Sequence, residues 1–526
     1  MQKRQTFLQG AAILAVTAAI VKVLGALYKI PLGWWLSKEG FAHFDVAYRI
    51  YALLLTISVA GLPTAMSRMI SGADAVGNHA GVRKIFTSAL WAFLVLGVVS
   101  TLVMFFGADS LALIMGDADA SLSIAALAPA VICVCFMGAY RGFSQGLSDM
   151  LPTSVTQVLE TAIKMIVGLG VVWYLRGLGY GSRELSAGAI IGVSIGSAVA
   201  LLYMIVRVRI PKRSALTPNS TDDTGSVIWQ LFKIGVPMAL GASVLNIIGL
   251  IDSRVTLTRL TLYNPGRETS MYGAYAMAQN IANIPSSFIM PITMSLIPAI
   301  SARLAQGDRK AAGEVTGTAM KLTLMLGLPC AIGLSVLSHP VIGVIYPDSM
   351  VDGAGALMLL GISSFFVCTT LIENTILQAR GLELVPVFSM LAGAVAKIAS
   401  THFLTPHIGV MGGATGSIAG FGVITIVNFI VLKVKTGQRL PGSTLRIVIA
   451  NAVMGLAAWF SYLALERALI TGDNPGTPVK IAALGGAIVA AILVYVVLVI
   501  VLRVITRADV ALMPKGDKIA RILRLK

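Results

Sequence analysis

Long apolar runs, broken only by single polar residues and bounded by charges, Gly or Pro, recur from one end of the chain to the other. They fall near 7–36, 44–70, 82–107, 120–145, 152–175, 185–208, 228–258, 271–302, 315–338, 355–379, 384–405, 412–434, 444–465 and 479–505. A helix rises about 1.5 Å per residue and the hydrocarbon core of a bilayer is about 30 Å thick, so roughly 20 apolar residues make one crossing. The pattern predicts an all-α polytopic membrane protein of about fourteen transmembrane helices. The least hydrophobic stretch, 209–226 (IPKRSALTPNSTDDTGSV), follows the sixth run. The predicted organisation is a six-helix lobe over 1–208, a cytoplasmic linker over 209–226 and a second six-helix lobe over 227–438. Two extra transmembrane helices over 439–506 and a basic tail over 507–526 complete it.

Composition strengthens this picture, because 56% of the 526 residues are hydrophobic, only 12% are charged and the mean hydropathy is +0.86. No stretch is left for a soluble domain. The net charge of +17 does not point to nucleic acid, since the basic residues are scattered singly and form no stripe with interleaved aromatics. Most of them instead lie on the side shared by both termini, with Lys3, Arg83, Lys212 and Lys435 as examples. The opposite loops carry Asp109, Asp117, Asp119, Asp348 and Asp352. That bias puts both termini in the cytoplasm. The first run is longer than a signal-peptide core and reads as a retained spanning helix.

Several chemistries find no support. Cys133, Cys135, Cys330 and Cys368 lie inside apolar runs without metal or redox spacing and read as buried thiols. His43, His79, His339, His402 and His407 are dispersed, and Asp117-Ala118-Asp119 reads as an acidic outer loop. No Gly-rich loop ends in Gly-Lys-Ser/Thr, so ATP hydrolysis by a P-loop is excluded and no cofactor or metal is expected.

An internal repeat supports two lobes. GLPTAMSR at 61–68 resembles SLIPAISAR at 295–303, and Pro63, Pro152 and Lys164 match Pro298, Pro386 and Lys397 at offsets of 235, 234 and 233 residues. Repeats of this kind characterise transporters whose substrate site lies between two halves. Gly188, Gly192 and Gly196, like Gly416 and Gly420, stand at the four-residue spacing of close helix packing.

Charges inside the runs are the candidate chemistry, since an ionised side chain at mid-bilayer costs roughly 2.5–3.5 kcal/mol unless paired or hydrated. They are Lys22 and Lys29 in the first helix, Asp45 and Arg49 in the second, Glu160 and Lys164 in the fifth, Asp252 and Arg254 in the seventh, Glu373 in the tenth and Lys397 in the eleventh. Asp45 with Arg49 and Glu160 with Lys164 have the i,i+4 spacing of helix ion pairs. The basic excess implies a hydrated interior that faces an anion, with Glu160, Asp252 and Glu373 as ion sites or structural partners.

The stretches VKVLGALYKIPL (21–32), AGLPTAMSRMISGADAVGNHAGVRKIF (60–86), FKIGVPMAL (232–240) and YGAYAMAQNIANIPSSFIMPITMSLIPAIS (272–301) resemble one family. It is the stage V sporulation protein B branch of the multidrug/oligosaccharidyl-lipid/polysaccharide exporters, related to MurJ-type lipid II flippases. The resemblance implies alternating access, a cationic cavity and a lipid-tail groove formed by the two extra helices. Lys22 and Asp45 match basic and acidic positions of the MurJ type, and Lys29 falls within one residue of another. Thr56, Gln279 and Asn280 stand where that type has Arg.

The resulting expectation is a flippase in the bacterial cytoplasmic membrane, moving an undecaprenyl-diphosphate-linked peptidoglycan precursor among membrane lipids, with cell-wall synthesis proteins as partners. Lys22, Lys29, Arg49, Lys164, Arg254 and Lys397 would face the diphosphate, with Asp45 orienting them. Alternatives are export of another polyprenyl-linked saccharide, drug/cation antiport, and a membrane glycosyltransferase or polymerase; short outer loops disfavour the last. For the topology, cysteines placed at Asp117 or Asp348 should react with an impermeant thiol reagent on intact cells, whereas cysteines at Asn219 or Lys435 should not. The reverse labelling would invert the orientation.

Overall fold

The computed structural model describes residues 7–59, 61–208, 224–438, 441–469 and 477–504. The predicted linker up to residue 223 and the basic tail lie outside the described residues. The described chain is α-helical with two short 3-10 turns and contains no strand among the described residues. Hydrocarbon has no water to satisfy N–H and C=O groups, so each apolar run closes its hydrogen bonds within itself.

The helices are α1 (Phe7–Trp35), α2 (Ser37–Val59), α3 (Leu62–Ala75), α4 (His79–Phe106), α5 (Ala108–Met115), α6 (Ser121–Gly146), α7 (Leu151–Gly177) and α8 (Ser182–Arg207). There follow α9 (Thr224–Tyr263), α10 (Glu268–Ala282), α11 (Ile284–Ala305), α12 (Arg309–Val336), α13 (Ser338–Ile345), α14 (Met350–Ala379), α15 (Leu384–Ile408) and α16 (Val410–Thr436). Two more, α17 (Thr444–Leu469) and α18 (Thr477–Val501), close the chain. Among the described residues, 12 helical segments are long and apolar enough to cross a membrane. The other two predicted runs, 228–258 and 271–302, fall on α9 and on α10 with α11, which include side chains outside the described set.

The runs at 44–70 and 271–302, each expected as one helix, are both split. Gly61 and Asn283 cap the second pieces, and Pro63 and Pro285 stand in the first turns of α3 and α11. Proline lacks an N–H and fits the first turn of a helix, where no intrahelical partner is needed.

The order of elements repeats. Helices α4 and α12 are each 28 residues long and stand 230 residues apart at both ends (79 to 309, 106 to 336). The eight-residue helices α5 and α13 keep the same offset, and each is followed by a three-residue 3-10 turn, Ala118–Ala120 and Pro347–Ser349. The caps repeat too. Asn78 accepts from the Gly81 N–H at 2.8 Å and Asp308 from the Ala311 N–H at 2.9 Å, each satisfying an orphan donor of its helix. The glycines before them, Gly77 and Gly307, have φ of 71° and 76°, where a Cβ would be strained. The sequence match of Pro63 with Pro298 does not hold in the helices, since Pro63 opens α3 and Pro298 lies within α11.

Two compact units result, one of residues 1–261 with 265–276 and one of 262–264 with 277–526. In the first, α7 packs along α8: a Cβ on Gly192 would meet Gly168 and the Lys164 carbonyl, and one on Gly196 the Glu160 carbonyl. In the second, α15 packs along α16 in the same manner, with Gly416 on the Lys397 carbonyl and Gly420 on the Lys397 Cβ and the Gly393 carbonyl. Each lysine-bearing helix is thus held at backbone contact by a small-residue stripe. The cut between units falls inside α10, so this helix contributes its first residues to one unit and its last to the other.

Replacing Gly192 by Val should lower the melting temperature of the detergent-purified protein, because a branched side chain forced against backbone costs about 1–3 kcal/mol. Gly170→Ala, at a site with nothing within 4 Å, should be neutral or stabilising. Equal melting of the two variants would contradict the close packing described.

Candidate functional site

In the first unit, α2 carries Asp45 and Arg49 one turn apart, and the expected pair is made: Arg49 Nε donates to Asp45 Oδ2 at 2.6 Å. The Tyr272 hydroxyl of α10 donates to that same oxygen at 2.9 Å. Arg49 Nη1 also reaches the Gly249 carbonyl of α9 at 3.4 Å. Lys29 lies within electrostatic range of Asp45, Arg49, Lys164 and Lys22, and Arg49 within range of Asp252, which is buried. Lys22 and Lys29 are seven residues apart, two helical turns, and so share a face of α1. Four cations and two carboxylates therefore gather in one unit, a formal excess of two positive charges.

Lys164 reaches the cluster from α7. Its ammonium lies over the Tyr28 ring at 5.4 Å and the Tyr48 ring at 5.7 Å, a distance at which the ring quadrupole attracts a cation. Tyr28 is fixed by donating its hydroxyl to the Ala189 carbonyl of α8 at 3.1 Å, and both tyrosines lie against Phe44. The expected Glu160–Lys164 pair is not formed. Glu160 accepts instead from Arg141 Nη2 at 3.3 Å and from the Ser197 hydroxyl at 3.1 Å. Glu160 is thereby engaged in a pair that joins α6, α7 and α8, and Lys164 lies beside the rings.

The remaining predicted residues lie elsewhere. Arg254 is exposed, two positions and about 200° around α9 from the buried Asp252. Lys397 and Glu373 belong to the second unit. Lys397 is buried with its ammonium 6.0 Å from the Phe421 ring, and Glu373 is buried on α14 with Oε2 lacking a hydrogen-bond partner. Nearby on α14, Asn374 accepts from Asn428 at 2.8 Å and Thr370 meets Thr425 at 3.2 Å.

Two features escaped the sequence. Tyr272 is one aromatic among many in an apolar run, and its bond to Asp45 spans 227 residues. Asp117, expected as an exposed outer-loop acid, is only 4% exposed and pairs with the equally buried His43 at 2.7 Å. The physical reason is the turn after α5, where Gly116 at φ 85° folds the chain back and aims Asp117 inward. Asp119 and Asp348 are the exposed acids of these segments, so Asp119 replaces Asp117 for surface labelling.

The membrane spans agree with comparisons to known proteins. The model of the family described as polysaccharide biosynthesis protein matches residues 7–303. The chain belongs to the polysaccharide biosynthesis protein family. The MatE family model matches residues 268–402. Relatives of the chain in Bacillus subtilis (strain 168) include Stage V sporulation protein B, 24% identical over 97% of this chain and 98% of its own. Another is Lipid II flippase MurJ, 25% identical over 86% of this chain and 87% of its own. Solved structures of the same fold include an inward-facing multidrug resistance MATE transporter of the MOP superfamily (TM-score 0.67, 16% identity, 80% of this chain and 98% of that one). A MOP superfamily transporter from Pyrococcus furiosus is a second (TM-score 0.58, 16% identity, 82% and 97%). The chain is thus a multi-pass membrane protein of this family.

Because a lone buried charge is costlier than a missing pair, Asp117→Ala or His43→Ala should each lower the melting temperature more than half as much as the double variant. Strict additivity would show that the two side chains do not interact.

Proposed function

We propose that this protein exports an undecaprenyl-diphosphate-linked peptidoglycan precursor, of lipid II type, across the bacterial cytoplasmic membrane by alternating access. The observation that carries the reading is the excess of two positive charges among Lys22, Lys29, Arg49, Lys164, Asp45 and Asp252, which matches a diphosphate diester with its two negative charges. Arginine and lysine together suit this ligand, the first by directed N–H bonds and the second as a point charge. The family and the flippase among the relatives support it. An apolar cavity of about 310 Å³ between α11, α12, α17 and α18, lined by Phe288, Leu334, Met454, Ile488 and Tyr495, offers a place for the polyprenyl tail. Lys397, within the second unit, and Arg254 on α9 are further candidates for headgroup binding. Both termini would be cytoplasmic.

One contact favours a second reading. Asn246 donates to Thr56 Oγ1 at 2.8 Å, a neutral pair two turns along α2 from Arg49, where MurJ-type proteins carry Arg. A cargo with a less acidic glycan, another polyprenyl-linked saccharide, suits such a neutral pair better.

Changing Lys22, Lys164 or Lys397 to Gln should leave insertion and abundance unchanged and reduce flipping of lipid II strongly in proteoliposomes, with changes at Thr56 and Cys368 as controls. Wild-type rates in all three would remove these lysines from the site. The energy source follows from the cargo: two negative charges leaving a compartment at −100 mV gain about 4–5 kcal/mol at about 2.3 kcal/mol per charge. An inside-negative potential should therefore speed outward flipping without an ion gradient. Rates that ignore the potential and follow sodium or protons would instead direct attention to Glu373, Asp252 or Glu160.

A further inference from the structure

Two donors, Arg49 Nε and the Tyr272 hydroxyl, converge on a single oxygen of Asp45. Arg49 and Asp45 remain partly accessible, at 22% and 16%, whereas Tyr272 is fully buried. The position of its hydroxyl is fixed by backbone packing. The next residue, Gly273, lies so close to the Lys38 carbonyl at the head of α2 that a Cβ there would collide, and Lys38 stands two turns from Asp45. Tyr275, also buried, packs its ring 6.2 Å from that of Tyr272.

An arginine locked to a carboxylate is a poor anion receptor, because the anion must break the existing pair and leave a carboxylate behind in a low-dielectric site. A second donor on the same oxygen changes that balance. We infer that Tyr272 is a positioning residue for anion capture: by sharing Asp45, which also lies within electrostatic range of Lys29, it lets the Arg49 guanidinium turn to a diphosphate oxygen while the carboxylate keeps a direct hydrogen bond. The inference rests on the diphosphate reading above and adds a residue to it. Tyr272 acts through Asp45 and Arg49 and does not touch the cargo. With Phe at 272, Arg49 would be the remaining one of these two donors, and the incoming anion would compete against a tighter pair.

The test is titration calorimetry of the full-length, detergent-solubilised protein with farnesyl diphosphate as a short-chain probe, on wild type, Tyr272→Phe, Asp45→Asn and the double variant. The hydroxyl bonds Asp45 with and without cargo, so only the strengthening of that bond on capture counts: Tyr272→Phe should lose a few-fold to about tenfold in affinity, beside a modest fall in melting temperature from the lost buried bond. In the Asp45→Asn background the same change should have no effect, since the charge that the hydroxyl holds is gone. Two results overturn the inference alone: wild-type affinity in Tyr272→Phe, or an equal loss in both backgrounds. Absence of farnesyl diphosphate binding by the wild type overturns the diphosphate reading and this inference with it.

Discussion

Hydrocarbon offers neither a counter-ion nor a hydrogen bond, and each ionised group on a spanning helix has to obtain both from its own helix or a neighbouring one. The polar contacts of the first unit follow from that demand. Arg141 is neutralised by Glu160 and further bound by Thr156, and Ser197 takes the other carboxylate oxygen. His43 and Asp117 satisfy one another by a hydrogen bond near the start of α2. Beside these pairs, Lys22, Lys29 and Lys164 lie in the same unit as an Asp45 that is shared between Arg49 and Tyr272. The electrostatic character of the site is therefore set by an excess of bases over acids. It could not be built at all without the glycine contacts that bring α7 to α8 and α10 to α2.

Much of the architecture was legible because the bilayer turns length and hydropathy into a strong code. The apolar runs map onto helices, and the i,i+4 pair of Asp45 and Arg49 is where spacing put it. The code failed where a helix is interrupted without losing hydrophobicity. Nothing in 44–70 or 271–302 announces a break except a proline that a single kinked helix would tolerate equally well. It failed again for contacts made at long range. The same i,i+4 rule that is right for Asp45 is wrong for Glu160, because Arg141 from α6 and Ser197 from α8 compete for it and no sequence distance records them. Asp117 was misplaced because acidity correlates with exposure only when no buried base is at hand.

The repeat supplies two copies of a frame and two different chemistries on it. Lys164 and Lys397 occupy matching places against matching glycine stripes, yet one faces two tyrosines and the other a single phenylalanine. The first copy adds Arg141 and Glu160 beside its lysine. The second has the neutral Asn374 and Asn428 bond and the unpartnered oxygen of Glu373. Packing is thus the duplicated property, and charge the one that diverged.

The equal lengths of α4 and α12, and of α5 and α13, carry a consequence for how such a chain can change. Inserting one residue into a spanning helix turns everything beyond it by about 100° and lifts it by about 1.5 Å. Lipid-facing valines would then swing inward and capped ends would leave their depth. Substitution alters one contact, but an indel rewrites a whole face. Variation in chain length is therefore confined to the connections, and the described helices behave as fixed-length units whose rotational phase is as much a part of the fold as their composition.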